Sequence, residues 1–174
     1  MSIPPWHEEP ISKKHDRETF DCGAEPLNGF LRKYARKSHE AGGAKTFLAV
    51  DDADGKTVFG FYSLSPTSVE YARSPSIVKR GLGHYEVPGF RLARLAVARA
   101  FQGKGLGGQL LMVAGRRCLQ VAQEVGGVVL VIDAKNDNMV KWYAGYGAIS
   151  LNDAPLTMML TLATIQAALD ATEK

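Results

Sequence analysis

Two hydrophobic periods and one unbroken apolar run lay out the elements of this chain. Leu27, Phe30, Leu31 and Tyr34 gather on one side of a helical wheel, and Arg32, Lys33, Arg36 and Lys37, at i, i+1, i+4 and i+5, on the other. The segment Leu27 to His39 therefore predicts an amphipathic helix, with Pro26 suited to its early positions and Gly42-Gly43 to its end. Thr46 to Val50 and Val58 to Leu64 predict two strands joined by Asp51-Asp52-Ala53-Asp54-Gly55. From Pro66 to Gly89 the chain is irregular and carries Arg73, Lys79 and Arg80, which predicts a flexible basic loop. Phe90 to Val97 predicts a strand, and Leu106, Leu110, Val113, Ala114, Val121 and Val125 keep helical spacing up to Gly126-Gly127. Val128 to Ile132 is continuously apolar, as in a buried parallel strand. A short helix around Asn138 to Tyr146, a strand from Leu156 to Leu162 and a helix from Ile165 to Leu169 complete the order α-β-β-β-α-β-α-β. That order predicts an α/β fold built on a mixed sheet.

Composition narrows the class without choosing a function. A chain of 174 residues with 45% hydrophobic and 22% charged positions predicts one soluble domain over residues 1-174. No apolar run approaches the roughly 20 residues that span a bilayer. The opening Met1 to Glu9 has no charged stretch followed by an apolar core, so no secretory signal is expected and the predicted location is cytoplasmic. Cys22 and Cys118 are too few for a disulfide framework or a zinc site. His7, His15, His39 and His84 have no metal-ligand spacing and are expected at the surface, so no metal is predicted. The net charge is only +3, but no acidic residue lies between Leu27 and His39 to neutralise the basic side of that helix. Binding of a polyanion and a merely solvated face both fit it.

Four glycines fall within the six residues from Gly103 to Gly108, between a predicted strand and a predicted helix. Glycine lets the backbone turn its N–H groups inward, and the helix start behind it adds unsatisfied donors and a positive dipole end. Such a junction suits a pyrophosphate. Gly103-x-Gly105-x-x-Gly108 fits a dinucleotide fingerprint, which also needs an acidic residue about 20 positions on, closing a second parallel strand. Glu124 lies in the helical pattern and Asp133 comes late. A tight strand-to-helix turn with no ligand is the plain alternative.

A second reading comes from resemblance. Gln102-x-x-Gly105-x-Gly107 is similar to the coenzyme-binding signature of the GNAT N-acetyltransferases, and Leu95-Ala96-Val97 to the strand end that meets the pantetheine arm. Asn136, followed by Trp142-Tyr143 and Tyr146-Gly147, resembles a second segment of that family. Phe20-Asp21-Cys22-Gly23, Leu27-Asn28-x-Phe30-Leu31, Thr46 to Val50, Gly60-Phe61-Tyr62-x-Leu64, Arg94 to Val97 and Pro155 to Leu162 resemble the GNAT toxins of bacterial toxin–antitoxin pairs. The likeness spans roughly residues 18 to 167. Met139, Gly145 and Ala148 depart from the family pattern and leave substrate preference open.

The resemblance implies a mixed, largely antiparallel sheet flanked by helices, and acetyl-CoA as co-substrate. It implies transfer of acetyl to the α-amino group of an aminoacyl-tRNA, a homodimer, and a ribbon-helix-helix antitoxin as partner. Gln102, Gly103, Lys104, Gly105, Leu106, Gly107 and Gly108 would hold the pyrophosphate, Leu95, Ala96, Val97 and Asn136 the pantetheine, and Tyr143 would act as general acid. The plain alternative for Tyr143 is a core aromatic, and for Asn136 a residue shaping a turn. RNA contacts would come from Arg32, Lys33, Arg36, Lys37, Arg91 and Arg94, although Arg94 could equally be a structural partner. Glu86 is a weak candidate for a base. The rivals are an acetyltransferase of a small amine or protein lysine, and a non-catalytic basic RNA-binding module.

Overall fold

The computed structural model describes residues 2–83 and 86–172; His84 lies outside the described residues. Its strands β1 (Trp6–Pro10), β2 (Lys45–Asp51), β3 (Val58–Val69), β4 (Val87–Val97), β5 (Val129–Asp133), β6 (Ile149–Ser150) and β7 (Thr157–Thr161) pair in the order β1-β2-β3-β4-β5-β7-β6 in one seven-stranded sheet. The β4–β5 ladder is parallel, while β1–β2, β2–β3, β5–β7 and β6–β7 are antiparallel. Helices flank the sheet, which is the fold class expected. The chain forms two compact units, the first made of the residues up to Ser65 with Arg94–Leu111, the second of Pro66–Ala93 with the residues from Met112 onward.

In the first unit, β1 (Trp6–Pro10) pairs with β2 (Lys45–Asp51), and β2 with β3 (Val58–Val69). β1 was not expected. Its five residues are half-buried or exposed and end in proline, so no apolar alternation marks it. The basic segment is two helices rather than one: α1 (Glu25–Lys33) and α2 (Ala35–Glu40) break at Tyr34. Leu31 and Ala35 on either side of the break are fully buried, which anchors both pieces. Phe61 of β3 meets Phe20 edge-on at 5.5 Å and Phe30 stacked at 6.2 Å, around which Leu48, Val50 and Ala96 close the core. Thr46 and Ser63 are buried polar residues opposite each other in the ladder and satisfy one another across 2.7 Å.

In the second unit, β4 (Val87–Val97) runs beside β5 (Val129–Asp133), and β7 (Thr157–Thr161) covers the other edge of β5, with β6 (Ile149–Ser150) beyond it. The apolar run behaves as predicted, with Val129 to Ile132 fully buried. Gly89 is required by proximity: a Cβ there would stand 2.3 Å from the Val129 carbonyl oxygen. The segment expected as a flexible loop is partly ordered. β3 continues through Pro66 to Val69, a short 3-10 turn covers Tyr71–Arg73, and Val69, Val78 and Val87 pack with Val129, Val131 and Met159. α3 (Leu106–Val125), α4 (Asp137–Ala144) and α5 (Leu162–Thr172) supply the helices. Gly115 lets α3 approach α5, since a Cβ there would meet Ile165 at 2.7 Å.

Among the described residues, no helix is long and apolar enough to cross a membrane, and no three His, Cys, Asp or Glu side chains gather so as to hold a metal ion. The surface expectation for histidine fails at His15. Its ring is buried, accepting from the Ser12 N–H at 3.0 Å and facing Glu9 at 3.1 Å. His39 is half-buried and accepts from the Thr46 N–H.

Candidate active site

The glycine turn is held from behind by its own flanks. The Ala98 N–H donates to the Phe59 carbonyl and the Arg99 N–H to the Asp21 carbonyl, both at 2.9 Å, fixing the end of β4. A 3-10 turn, Arg99–Phe101, then leads to Gln102. The Gln102 side chain donates to the carbonyls of Cys22 at 2.8 Å and Val97 at 2.9 Å. It therefore braces the start of the bend, while any ligand contact from this residue falls to its main chain. Lys104 folds back onto the Ala100 carbonyl at 3.1 Å rather than extending into solvent.

Gly103 and Gly105 have φ of +77° and +89°, and an ideal Cβ on either would find no heavy atom within 4 Å. Glycine is needed there for the backbone conformation, and the space in front is open. Leu106 is buried and starts α3, whose first N–H groups have no acceptor within the helix. Open space, left-handed glycines and a helix start make a cradle that fits a diphosphate. Leu95, Ala96 and Val97 are the last three residues of β4 before it, with Ala96 buried. Gly60, which the sequence marks only as part of a segment resembling the GNAT toxins, has a steric role at this strand end. A Cβ on it would sit 2.8 Å from the Ala96 carbonyl and 2.9 Å from Leu110, so only glycine lets β3 support this strand end.

The other half of the expected site lies in the second unit. Asn136 is the N-cap of α4, its side-chain oxygen accepting from the Met139 N–H at 3.0 Å. The turn-shaping role is thus realised, and only its amide NH2 remains for a ligand. Tyr143 is buried at 4% exposure, with the Trp142 ring edge-on at 4.9 Å. Burial, and then the Asp133 carboxylate, push that phenol well above the usual tyrosine range. Burial therefore holds this phenol in its neutral form.

The basic face needs correction. Acids just outside the Leu27 to His39 window neutralise part of it: Arg32 pairs with Glu25 at 2.7 Å and Arg36 with Glu40 at 2.9 Å. Lys33 and Lys37 are the exposed cations of α1 and α2. Arg91 is engaged by Asp133, its Nη1 lying 2.7 Å from both carboxylate oxygens. The Arg94 guanidinium lies 3.7 Å over the Phe30 ring, which supports the structural role held open for it. Glu86 accepts from the Ser68 hydroxyl at 2.7 Å.

Residues 13–148 match the acetyltransferase (GNAT) family, and the chain belongs to it. This settles the dinucleotide alternative against a nicotinamide enzyme. Among curated relatives, the "tRNA-acetylating toxin" of Mycobacterium tuberculosis (strain ATCC 25618 / H37Rv) is 38% identical, the match covering 87% of this chain and 89% of that one. The "Probable toxin TacT" of Sinorhizobium fredii (strain NBRC 101917 / NGR234) is 32% identical over 91% of this chain and 92% of its own. Of solved structures, AtaT complexed with acetyl-methionyl-tRNAfMet superposes with a TM-score of 0.87 at 25% identity, covering 95% of this chain and 99% of that one. AtaTR bound with AcCoA gives 0.82 at 25% identity, covering 94% and 98%.

Proposed function

We propose that this acetyltransferase moves an acetyl group from acetyl-CoA to the α-amino group of an aminoacyl-tRNA, so that the acylated product can no longer accept a peptide. The observation that carries this reading is the 38% identity over 87% of the chain to a protein named as a tRNA-acetylating toxin. The chemistry of the residues supports it. Acetyl-CoA, when bound, supplies an activated thioester. Main-chain N–H groups from Gln102 to Gly108 hold its pyrophosphate, and the backbone of Leu95, Ala96 and Val97, with the Asn136 amide, meets the pantetheine.

An α-amino group titrates at about 8, so much of it is already neutral at cellular pH and no strong base is required. That agrees with a β4 that carries no carboxylate between Val87 and Val97. A main-chain N–H at the end of β4 stabilises the developing oxyanion. Tyr143 donates the proton that the leaving sulfur needs, a role that suits a phenol held in its neutral form. Lys33 and Lys37, joined by the exposed parts of Arg32 and Arg36, meet RNA phosphates, which position the substrate without reading its sequence. Arg91 and Arg94 contribute field rather than direct contacts, since Asp133 and Phe30 already engage them.

The same reading makes the protein a translation-blocking toxin of the cytoplasm, active as a homodimer and neutralised by a ribbon-helix-helix antitoxin. An acceptor panel tests the activity. Thiol release from acetyl-CoA is followed with charged tRNA, uncharged tRNA, a polyamine and a lysine-rich protein. Release with charged tRNA alone is expected; release with the polyamine or the protein alone would overturn the proposal.

A further inference from the structure

In the first unit, the turn Phe20 to Gly23 and the helix α1 are tied into one hydrogen-bonded network with Asn28 as its hub. Asn28 lies on α1 beside the buried Phe30 and Leu31 and is itself 6% exposed. A buried amide is costly unless both of its ends are satisfied, and here they are. Its side-chain oxygen accepts from the Cys22 N–H at 2.9 Å, and its NH2 donates to the Asp21 carboxylate at 3.0 Å. The same carboxylate oxygen accepts from the Gly23 N–H at 2.8 Å, while the other lies 3.3 Å from Arg99 Nε. The turn so fixed presents two successive carbonyls to the stretch after β4. The Asp21 carbonyl accepts from the Arg99 N–H at 2.9 Å, and the Cys22 carbonyl from the Gln102 side chain at 2.8 Å. That Gln102 amide also donates to the Val97 carbonyl at 2.9 Å.

A path of contacts thus runs from α1 to the last residue of β4 and the first residue of the bend. Apolar side chains would secure α1 to its neighbours with less desolvation. What a satisfied polar network adds is one fixed geometry for the groups it joins. The bend is where fixed geometry counts. Glycine has more backbone freedom to lose than any other residue, so a ligand that must order Gly103 and Gly105 pays for it in affinity. A bend already held at its first residue presents donors that are aimed before the ligand arrives.

Resting on the assignment of the bend to the coenzyme's pyrophosphate, we infer that Asn28 is a positioning residue for acetyl-CoA: through the Asp21–Cys22 turn it holds Gln102, and through Gln102 it presets the bend and the end of β4. Acting from behind, Asn28 and Gln102 set the affinity for the coenzyme. Binding restores the same geometry in their absence, so the chemical step of the bound state does not depend on them.

Calorimetry of acetyl-CoA binding, well below every melting temperature, tests it. The variants are Asn28→Ala, Gln102→Met, the two together, and Gly105→Ala. Ser63→Ala is the control, since it breaks the buried Thr46–Ser63 hydrogen bond of the same unit. Kd is expected to rise about fivefold in Asn28→Ala and in Gln102→Met, roughly the worth of one hydrogen bond, and to stay within about twofold in Ser63→Ala. Residues acting in series are not additive, so the double variant should stay below about tenfold; the product of the two effects, about 25-fold, would overturn the inference. KM for acetyl-CoA should follow Kd, with kcat at saturating coenzyme within about twofold. An unaltered Kd in Asn28→Ala, an equal rise in Ser63→Ala, or a fall in kcat with KM unchanged would each overturn it. Gln102 is exposed, so Gln102→Met decides the matter should Asn28→Ala fail to fold. Weakened binding in Gly105→Ala beside an unaltered Kd in the Asn28 and Gln102 variants would sink the network and leave the bend's role standing. An unaltered Kd in all of them would remove the bend's role itself.

Discussion

Replacing Gly105 by alanine separates what the bend costs the fold from what it does for the ligand. At φ +89° the new Cβ meets no neighbour, so the penalty is backbone conformation alone, about 1–2 kcal/mol. Gly55, in the β2–β3 connection, has φ +66° and equally open surroundings, and serves as a matched control. For a chain of this size 1 kcal/mol moves the melting temperature by about 2–4 °C, so both variants should melt about 2–8 °C lower without ligand. With acetyl-CoA at 100 times its Kd, the wild type gains about 2.7 kcal/mol. Loss of roughly one charge-assisted hydrogen bond weakens binding about tenfold, which cuts that gain to about 1.4 kcal/mol. Differential scanning fluorimetry should therefore show a coenzyme shift about 3–5 °C smaller in Gly105→Ala and intact in Gly55→Ala. An undiminished shift in Gly105→Ala, and in Gly103→Ala beside it, would refute the assignment of the bend to the pyrophosphate.

Three further outcomes are expected. Tyr143→Phe should lower kcat at least tenfold while the affinity for acetyl-CoA, measured by calorimetry, stays within about twofold; unaltered turnover would remove the general acid. Lys33→Gln with Lys37→Gln should leave the melting temperature unchanged and reduce the slope of log K against log salt for tRNA binding by about 2, whereas reversing Arg32 and Arg36 should also destabilise the fold by setting like charges against Glu25 and Glu40. The Glu9 carboxyl is held down from an ordinary 4.5 to about 2 by Lys14 and then by His7 and His15. A depressed carboxyl contributes stability that is whole above 4.5 and disappears as pH falls toward 2. The melting gap between wild type and Glu9→Gln, a few °C for partly exposed pairs, should therefore be constant from pH 6 to 5 and close between pH 4.5 and 2.

What the sequence disclosed follows from the range of the interactions involved. The unit from β4 through the glycine bend to α3 was legible because apolar run, φ-permissive residues and helical period are all local features. Val128 to Ile132 was equally plain, since burial on both faces leaves no polar position. The break at Tyr34 was hidden because the hydrophobic period runs through it without interruption. Glu25 and Glu40 lie just beyond the window in which the basic face is counted, yet two helical turns bring Glu25 to Arg32 and one brings Glu40 to Arg36. Gln102 reaching the Cys22 carbonyl, Arg91 reaching Asp133 and Gly60 under Ala96 join residues 36 to 80 positions apart, and no local pattern encodes them.

The account rests most directly on where the acetyl group goes. Total tRNA, charged and uncharged, is incubated with protein and isotopically labelled acetyl-CoA, then treated with mild base and examined by mass spectrometry. The account predicts label only on charged tRNA, released by base as an N-acetyl amino acid. Label that stays on the RNA after base, or that is found on protein lysines with charged tRNA unmarked, would contradict it.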